Sequence, residues 1–374
     1  AKDAAPAAGA GAKSFDAAIE ETPSDIVESF HIRFSDLNPD VTRGQVSIES
    51  DDAGAVTGVE IVSPRLKDIS PLAAFSNLTK LAATGAGSAN LLGMVVPAPL
   101  KDLSPVAGRR IQDLNIGYTR VKDLSPLRGM PIKNLNIQFT LVEDISPLKG
   151  MPLETLNMDG TDVRNFEPLS GSPLRRLSLN RTLMFDASPL RNLPLMELSL
   201  RRTRVTHITG LQGMRLTHLD LSHTKVHNLG PLKGMPLQRL IMDGVPASDL
   251  MPLAGSRLAT LSAASSDVKD LSALRGMPLT ELNLESTGVS DLSPLSGLPL
   301  ESLNLRNTKV RDLAPLRGMP LRTLDIRQTD VKSLSPIRNL PIEELFVDNP
   351  EAFKDDLDGM PENMTINPKP GERN

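Results

Sequence analysis

The sequence predicts a solenoid, a repeat array with a parallel β-sheet on its concave face and short turns on its convex face. Three observations predict it. The phrase DLSPLRGMPIKNLNIQFTLV at 123–142 returns as DLSPLSGLPLESLNLRNTKV at 291–310. From Leu114 a leucine recurs every 21 residues, at 135, 156, 177, 198, 219, 240, 261, 282, 303, 324 and 345, without insertion or deletion. Around each of these leucines, the residue three places before is always Ile or Leu, as in Ile111, Ile132 and Leu153, and the residue two places after is usually aliphatic, as in Ile116, Leu179 and Leu305. The residue two after the leucine shares its face, as in a short strand with an apolar inner side.

In chain order, AKDAAPAAGAGAK opens residues 1–14 as a mobile Ala/Gly/Pro linker. A first residue other than methionine implies a removed signal peptide or excision from a longer protein. Over residues 15–62 a cap is expected. Phe15, Ile19, Ile26, Val27, Phe30 and Ile32 recur near the helical period, and Thr22-Pro23-Ser24-Asp25 offers a capping box, so a helix is expected over 23–36. QVSIES (45–50) and GVEIVS (58–63) flank the turn-rich DDAGA and read as a β-hairpin. Helix and hairpin would close the first edge of the array.

The array itself spans 59–349, with about fourteen coils. Val59 and Ile61 fit the repeat frame, and Leu81 follows 22 residues after Val59. Leu114 lies 33 residues further on, so about 12 residues are inserted near 85–97. This loop carries Leu91, Leu92, Met94, Val95 and Val96 outside the core columns, either folded back on the first coils or presented to a partner. Residues 350–374 read as a C-terminal cap and polar tail, in which the paired Asp355 and Asp356 form a solvated run.

Within each coil the other columns have structural readings. Threonine stands five residues after the leucine in nine repeats, including Thr119, Thr203 and Thr329. Its hydroxyl is placed to bond the backbone where the strand turns away, and stacked threonines could bond one another. Ser125 beside Pro126 is the expected cap of the outer turn. Glycine at 129, 150, 171, 213 and onward, with Asn192 and Asn339 in the two exceptions, marks a left-handed residue that ends the turn. So few residues allow one 3₁₀ or α turn per coil, and fourteen strands at ~4.8 Å predict a shallow arc roughly 60–70 Å long.

The unit LxxLxLxxTxVxDLSPLxGMP resembles bacterial leucine-rich repeats of the internalin-like type. It is similar above all to repeat regions joined to bacterial serine/threonine kinases, where a helix ending in a motif like LNPD (37–40) precedes a hairpin and then DISPL (68–72). The resemblance covers residues 24–349 and implies a leucine-rich repeat solenoid that binds a partner on its concave sheet. The departures are threonine in place of the usual asparagine, the irregular coils 240–260 and 261–281, and the absence of a kinase domain from this sequence.

Composition narrows the function. A net charge of -4 argues against a nucleic-acid binder that works by bulk electrostatics. There is no cysteine, hence no disulfide framework or thiolate chemistry. No apolar run reaches the ~18 residues that span a bilayer, so no direct membrane insertion is expected. No glycine-rich phosphate loop follows a strand, and neither an enzyme nor a cofactor is expected. His207, His218, His223 and His227 fall close in sequence, but the frame scatters them between the concave face and the outer turns, so no metal site is expected.

The concave face supplies the candidate site. Residues one before and one, three and four after each leucine should project from it. The first coils present Asn115, Asn136, Gln138, Tyr118 and Phe139, and Tyr118 is the chain's only tyrosine. Further on, Arg176, Arg181, Arg201 and Arg202 cluster with His218 and His223, and Arg306 and Arg327 form a second pair. Like charges one period apart repel, which either an anionic partner or the neighbouring Glu197, Asp159 and Asp220 would relieve. The leading reading is a noncatalytic recognition or scaffold module that binds a protein. The alternatives are a structural subunit of a cell-surface or multi-subunit assembly that associates by its edges, and a binder of acidic glycans or other polyanions. An extracytoplasmic setting is expected, with a cytoplasmic one as the alternative.

Overall fold

The structure, a computed structural model, describes residues 22–86, 96–357, 360–361 and 364–367. Leu91, Leu92, Met94 and Val95 lie outside the described residues, as do Phe15 and Ile19. Helix α1 (Pro23–Leu37) opens on the expected capping box: the Thr22 hydroxyl accepts from the Asp25 amide, and the Asp25 carboxylate accepts from the Thr22 amide. Its buried face carries Phe30 and Phe34, and Phe30 packs 4.9 Å from Phe75 in the first coil. Asn38 then ties helix to array. Buried to 2% exposure, its side-chain amide donates to the Phe34 and Asp68 carbonyls, and its oxygen accepts from the Lys67 and Asp68 amides. The LNPD motif is therefore a clamp between the cap and the DISPL turn.

Strands β1 (Val46–Ser50) and β2 (Val56–Val62) form the expected hairpin, paired antiparallel. From β2 onward every neighbour is parallel and in sequence order. Strand β3 (Lys80–Thr84) precedes three-residue strands at 21-residue steps, from β4 (Asp113–Asn115) to β15 (Glu344–Phe346). The leucines stay in register: Val59 opposes Leu81, Leu81 opposes Leu114, and Leu324 opposes Leu345. The sheet has 16 strands among the described residues, because β16 (Thr365–Asn367) adds to β15 and places Ile366 opposite Leu345. The leucine column thus runs one coil past the expected boundary, carried by an isoleucine in a segment whose composition reads as a polar tail.

Each coil buries the same inward set, for example Ile132, Leu135, Ile137, Val142, Ile145, Leu148 and Met151, all 3% exposed or less. At roughly 2 kcal/mol per buried aliphatic side chain, this packing between coils supplies the main driving force. The outer wall is one 3₁₀ turn of three residues, such as Ser125–Leu127. The capping group differs from the expected one. Ser125 does not cap; Asp123 does, accepting from the Ser125 amide at 2.8 Å and from its hydroxyl at 2.7 Å. The same geometry recurs at Asp144 with Ser146 and Asp291 with Ser293. In the last of these coils Ser333 stands in the aspartate's place, and Asp356 reaches back to accept from the Leu334 amide at 2.6 Å and the Ser333 hydroxyl at 2.9 Å. Asp356 is a structural cap and not part of a solvated run.

Two further expectations need correction. Asn192 is left-handed at φ 70°, like the glycines of its column, but Asn339 is not, because Arg338 stays in the right-handed helical region and the turn continues. The threonine hydroxyls form no ladder with one another among the described residues. Each donates within its own coil to the carbonyl three residues back, as Thr119 does to Ile116, Thr203 to Leu200 and Thr308 to Leu305, all at 2.7 Å.

Two predictions follow from these bonds. Thr203→Val leaves the buried Leu200 carbonyl without its side-chain donor and should destabilise the chain by about 1–3 kcal/mol, read as a lower urea midpoint. The serine hydrogen bonds hold the Asp123, Asp144 and Asp291 carboxyls below the usual carboxylate range. A depressed folded-state value means that the stabilisation is complete above the unfolded carboxylate pKa near ~4 and is lost as pH falls through the folded value. The thermal midpoint should therefore drop below about pH 4, and the drop should shrink when the three aspartates are replaced by asparagine.

Candidate functional site

Counting from the core leucine, the fifth residue is in nine coils a threonine, and its amide bonds the carbonyl of the second, as Thr203 does to Leu200 at 3.1 Å and Thr182 to Leu179 at 3.2 Å. The strand therefore ends in a four-residue turn whose third residue, four after the leucine, must be left-handed. That residue is Tyr118 (φ 59°), Phe139 (51°), Arg181 (57°), Arg202 (58°) or His223 (58°) in five of the coils, and Gly160 or Gly244 in two others. A turn with positive φ at this place calls for glycine or asparagine. A side chain there costs about 1–2 kcal/mol relative to an ordinary backbone. The chain accepts that cost in the coils that carry its predicted site. Sequence reasoning found the residues and missed their backbone state; Gly160, Gly244 and Asn307 in the same column were the available signal.

The turn fixes these residues in a row along the C-terminal ends of the strands, the rim of the concave face. Their amides join the inter-coil ladder, Phe139 to the Asp159 carbonyl at 2.7 Å and Arg181 to Arg201 at 2.9 Å. The rings of Tyr118 and Phe139 stack 5.1 Å apart at 15°. Phe139 leans over the next coil, where a Cβ at Gly160 would lie 2.6 Å from its ring, so only glycine fits. The Arg181 guanidinium stands 6.0 Å from the ring on the far side, giving a continuous Tyr118–Phe139–Arg181 stack.

Charge separates the two arginine groups. Arg181, Arg201 and Arg202 are exposed and have no ion pair among the described residues. The acids expected to neutralise them are engaged elsewhere. Asp159 accepts from Ser178, the Asn180 amide and the Asn180 side chain; Asp220 accepts from Ser222; and Glu197 stands 3.9 Å from Arg176. The second pair is spoken for: Arg306 meets Glu285 at 3.7 Å, while Arg327 bonds Asp325 and lies 5.0 Å from the Phe346 ring. Hydrogen bonding from Asp325 raises the Arg327 pKa further above its ordinary value. His218 is half-buried with Nδ1 3.0 Å from the Thr217 hydroxyl, and His223 is exposed at the rim. The His207 and His227 rings lie 6.0 Å apart, and among the described residues no group of three or more histidines and carboxylates is placed to hold a metal ion.

Inside the rim the sheet floor forms two adjoining grooves. One of about 490 Å³ runs from Ser47 to Asn157, and one of about 480 Å³ from Thr155 to Ile241, sharing Thr155 and Asn157. The floor carries polar side chains, largely satisfied among themselves, on a surface that is mostly apolar: the Asn115, Asn136 and Asn157 side-chain oxygens each accept from an amide two residues on in their own coil. Outside the rim, on the flank where the chain descends to the outer wall, Leu141 is 48% exposed and Phe185 72% exposed. Both were missed from sequence. The signal was that they stand in columns filled mostly by polar residues such as Arg120, Asp162, Lys122 and Arg164, although Leu183 shares the column of Leu141. Of the five apolar residues singled out in the inserted loop only Val96 is described, and it is exposed.

Comparison with solved structures matches this geometry to a known architecture. An internalin, InlF of Listeria monocytogenes, superposes with a TM-score of 0.70 at 21% identity, over 87% of this chain and 94% of that one. This is a leucine-rich repeat fold. The functional domain of InlJ from the same organism follows at a TM-score of 0.56 and 19% identity, over 79% and 68% of the two chains. A leucine-rich repeat chain of the LRIM1/APL1C complex matches at 0.56 and 15%, over 84% and 61%. No model of a known protein family matches the sequence, and no curated protein does. The likeness to the internalin type of repeat thus rests on the fold. No helix among the described residues is long and apolar enough to cross a membrane.

If the rim backbone is strained as its φ values imply, Arg202→Gly should stabilise the chain by up to about 1 kcal/mol relative to Arg202→Ala, measured by urea unfolding. A glycine variant no more stable than the alanine variant would show a relaxed turn.

Proposed function

We propose that this chain is a noncatalytic recognition module that binds another protein at its concave face, over a solenoid spanning residues 59–349. Tyr118, Phe139, Arg181, Arg201 and Arg202 are the anchors, with Arg176, His218 and His223 around them. One observation carries the reading: where the turn calls for glycine, the chain holds aromatic rings and guanidiniums, and the arginines there have no ion pair among the described residues. Ser265, Ser286 and Gln328 share the strain, so what distinguishes these coils is the choice of rings and guanidiniums at positions that stability would give to glycine. Rigid stacked aromatics and arginines are also the side chains that dominate protein interfaces. The solved chains of the same fold support the reading, since one of them is half of a two-protein complex. The same likeness, to internalins, favours an extracytoplasmic setting.

The test uses the full chain as bait to recover a partner from extracts, followed by titration of the purified partner. Replacing Arg181, Arg201 and Arg202 together by alanine should weaken binding at least tenfold with an unchanged unfolding midpoint. Replacing Arg306 and Arg327, already paired within the fold, should weaken it much less. Equal affinity of the triple variant and the parent would overturn the site.

A further inference from the structure

We infer that the partner is engaged along the strand-end rim and its outer flank, not on the groove floor, and that the engaged segment is an acidic, extended peptide with an apolar anchor residue. This rests on the recognition reading above and specifies the chemistry of what is recognised. The floor has little to offer a charged ligand, because its carboxylates and amides already bond one another, as Asp159, Ser178 and Asn180 do. The rim is different. Over six consecutive coils it presents an aromatic step, a glycine gap, three cations, Arg181, Arg201 and Arg202, without ion pairs among the described residues, and then His223. Just outside the same rim lie the two exposed apolar side chains Leu141 and Phe185. A ligand lying over the edge would cover apolar and cationic groups together, whereas one confined to the groove would leave Phe185 in water.

Charge complementarity selects carboxylates for the guanidiniums, and the stacked rings select an apolar side chain beside them. The spacing is fixed by the fold. Adjacent strands stand ~4.8 Å apart, so the Phe139 and Arg202 backbones are separated by three steps, ~14 Å, while the Arg181 guanidinium reaches back to 6.0 Å from the Phe139 ring. An extended peptide advances ~3.3 Å per residue, so the carboxylates must sit about two to four residues from the apolar anchor. A polyanion without such an anchor would find the cations and leave the aromatic step and the flank unused.

The probe is a fluorescein-labelled peptide of about twelve residues, long enough to cross the six coils, with one leucine and an Asp-Asp pair three to four residues away. Its binding to the full chain is followed by anisotropy. Saturable binding is expected, weakened at least tenfold by Arg181→Gln with Arg202→Gln and at least threefold by Phe139→Ala or Phe185→Ser. Binding should also fall with salt, and unfolding midpoints should be unchanged. A peptide with the leucine replaced by serine, or with the acids moved eight residues away, should bind at least fivefold more weakly. Absence of binding, or equal binding of these control peptides and of polyglutamate, would overturn the inference. If the peptide fails while a partner protein still loses affinity with the arginine variants, the recognition face stands and the acidic-segment assignment falls. If both fail, the face itself is wrongly placed.

Discussion

Most coils of this protein close on one hydrogen bond, from the hydroxyl five places after the core leucine to the carbonyl three residues behind it. That bond satisfies a carbonyl at the point where the chain leaves the sheet. It also holds a tight turn whose third residue is forced to a positive φ. The inward column, the left-handed rim and the parallel register all follow from closing the coil at that place. Where threonine is missing the coil finds a substitute: Ser266 makes the same bond to Ala263, and the buried Val245 fills the position with hydrocarbon.

At the rim, backbone and side chain of one residue serve different parts of the molecule. The backbone of Arg181 or Phe139 belongs to the scaffold, since its amide sits in the inter-coil ladder. The side chain belongs to the surface and contributes nothing to the core. Glycine at 160 is the counterpart, because removing one Cβ gives Phe139 room to lie flat over the next coil and face Arg181. The aromatic and cationic groups are thus ordered before any partner arrives, which lowers the entropy lost on binding.

Much of the fold was legible because its signals are periodic. Leucine spacing gave the strands, the Thr22–Asp25 box gave the start of α1, and DDAGA gave the hairpin. What was illegible came from geometry that residue type alone does not disclose. Ser125 looks like a cap, yet the aspartate two residues earlier caps better because its carboxylate reaches both the amide and the hydroxyl. Asp356 is remote in sequence from the turn it caps, and Ile366 is a single apolar residue in a polar stretch. At the candidate site the sequence named the aromatic and arginine columns. It left open whether nearby acids neutralise the arginines, because pairing depends on side-chain direction: Asp159 points to Ser178 and Asn180. Leu141 and Phe185 break largely polar columns, a sign that shows only when the outer columns are compared coil by coil and not from the core leucine period.

The uninterrupted 21-residue step from Leu114 to Leu345 makes the rim a ruler with discrete graduations. Since each coil is complete in itself, copying or deleting one between Phe139 and Arg181 would move the aromatic step and the cations apart or together by one strand spacing, ~4.8 Å. The local geometry of either group would be untouched. On the proposed reading, the length such a molecule measures changes only in whole units, by gain or loss of repeats, while point substitutions on the rim change what is read at each mark.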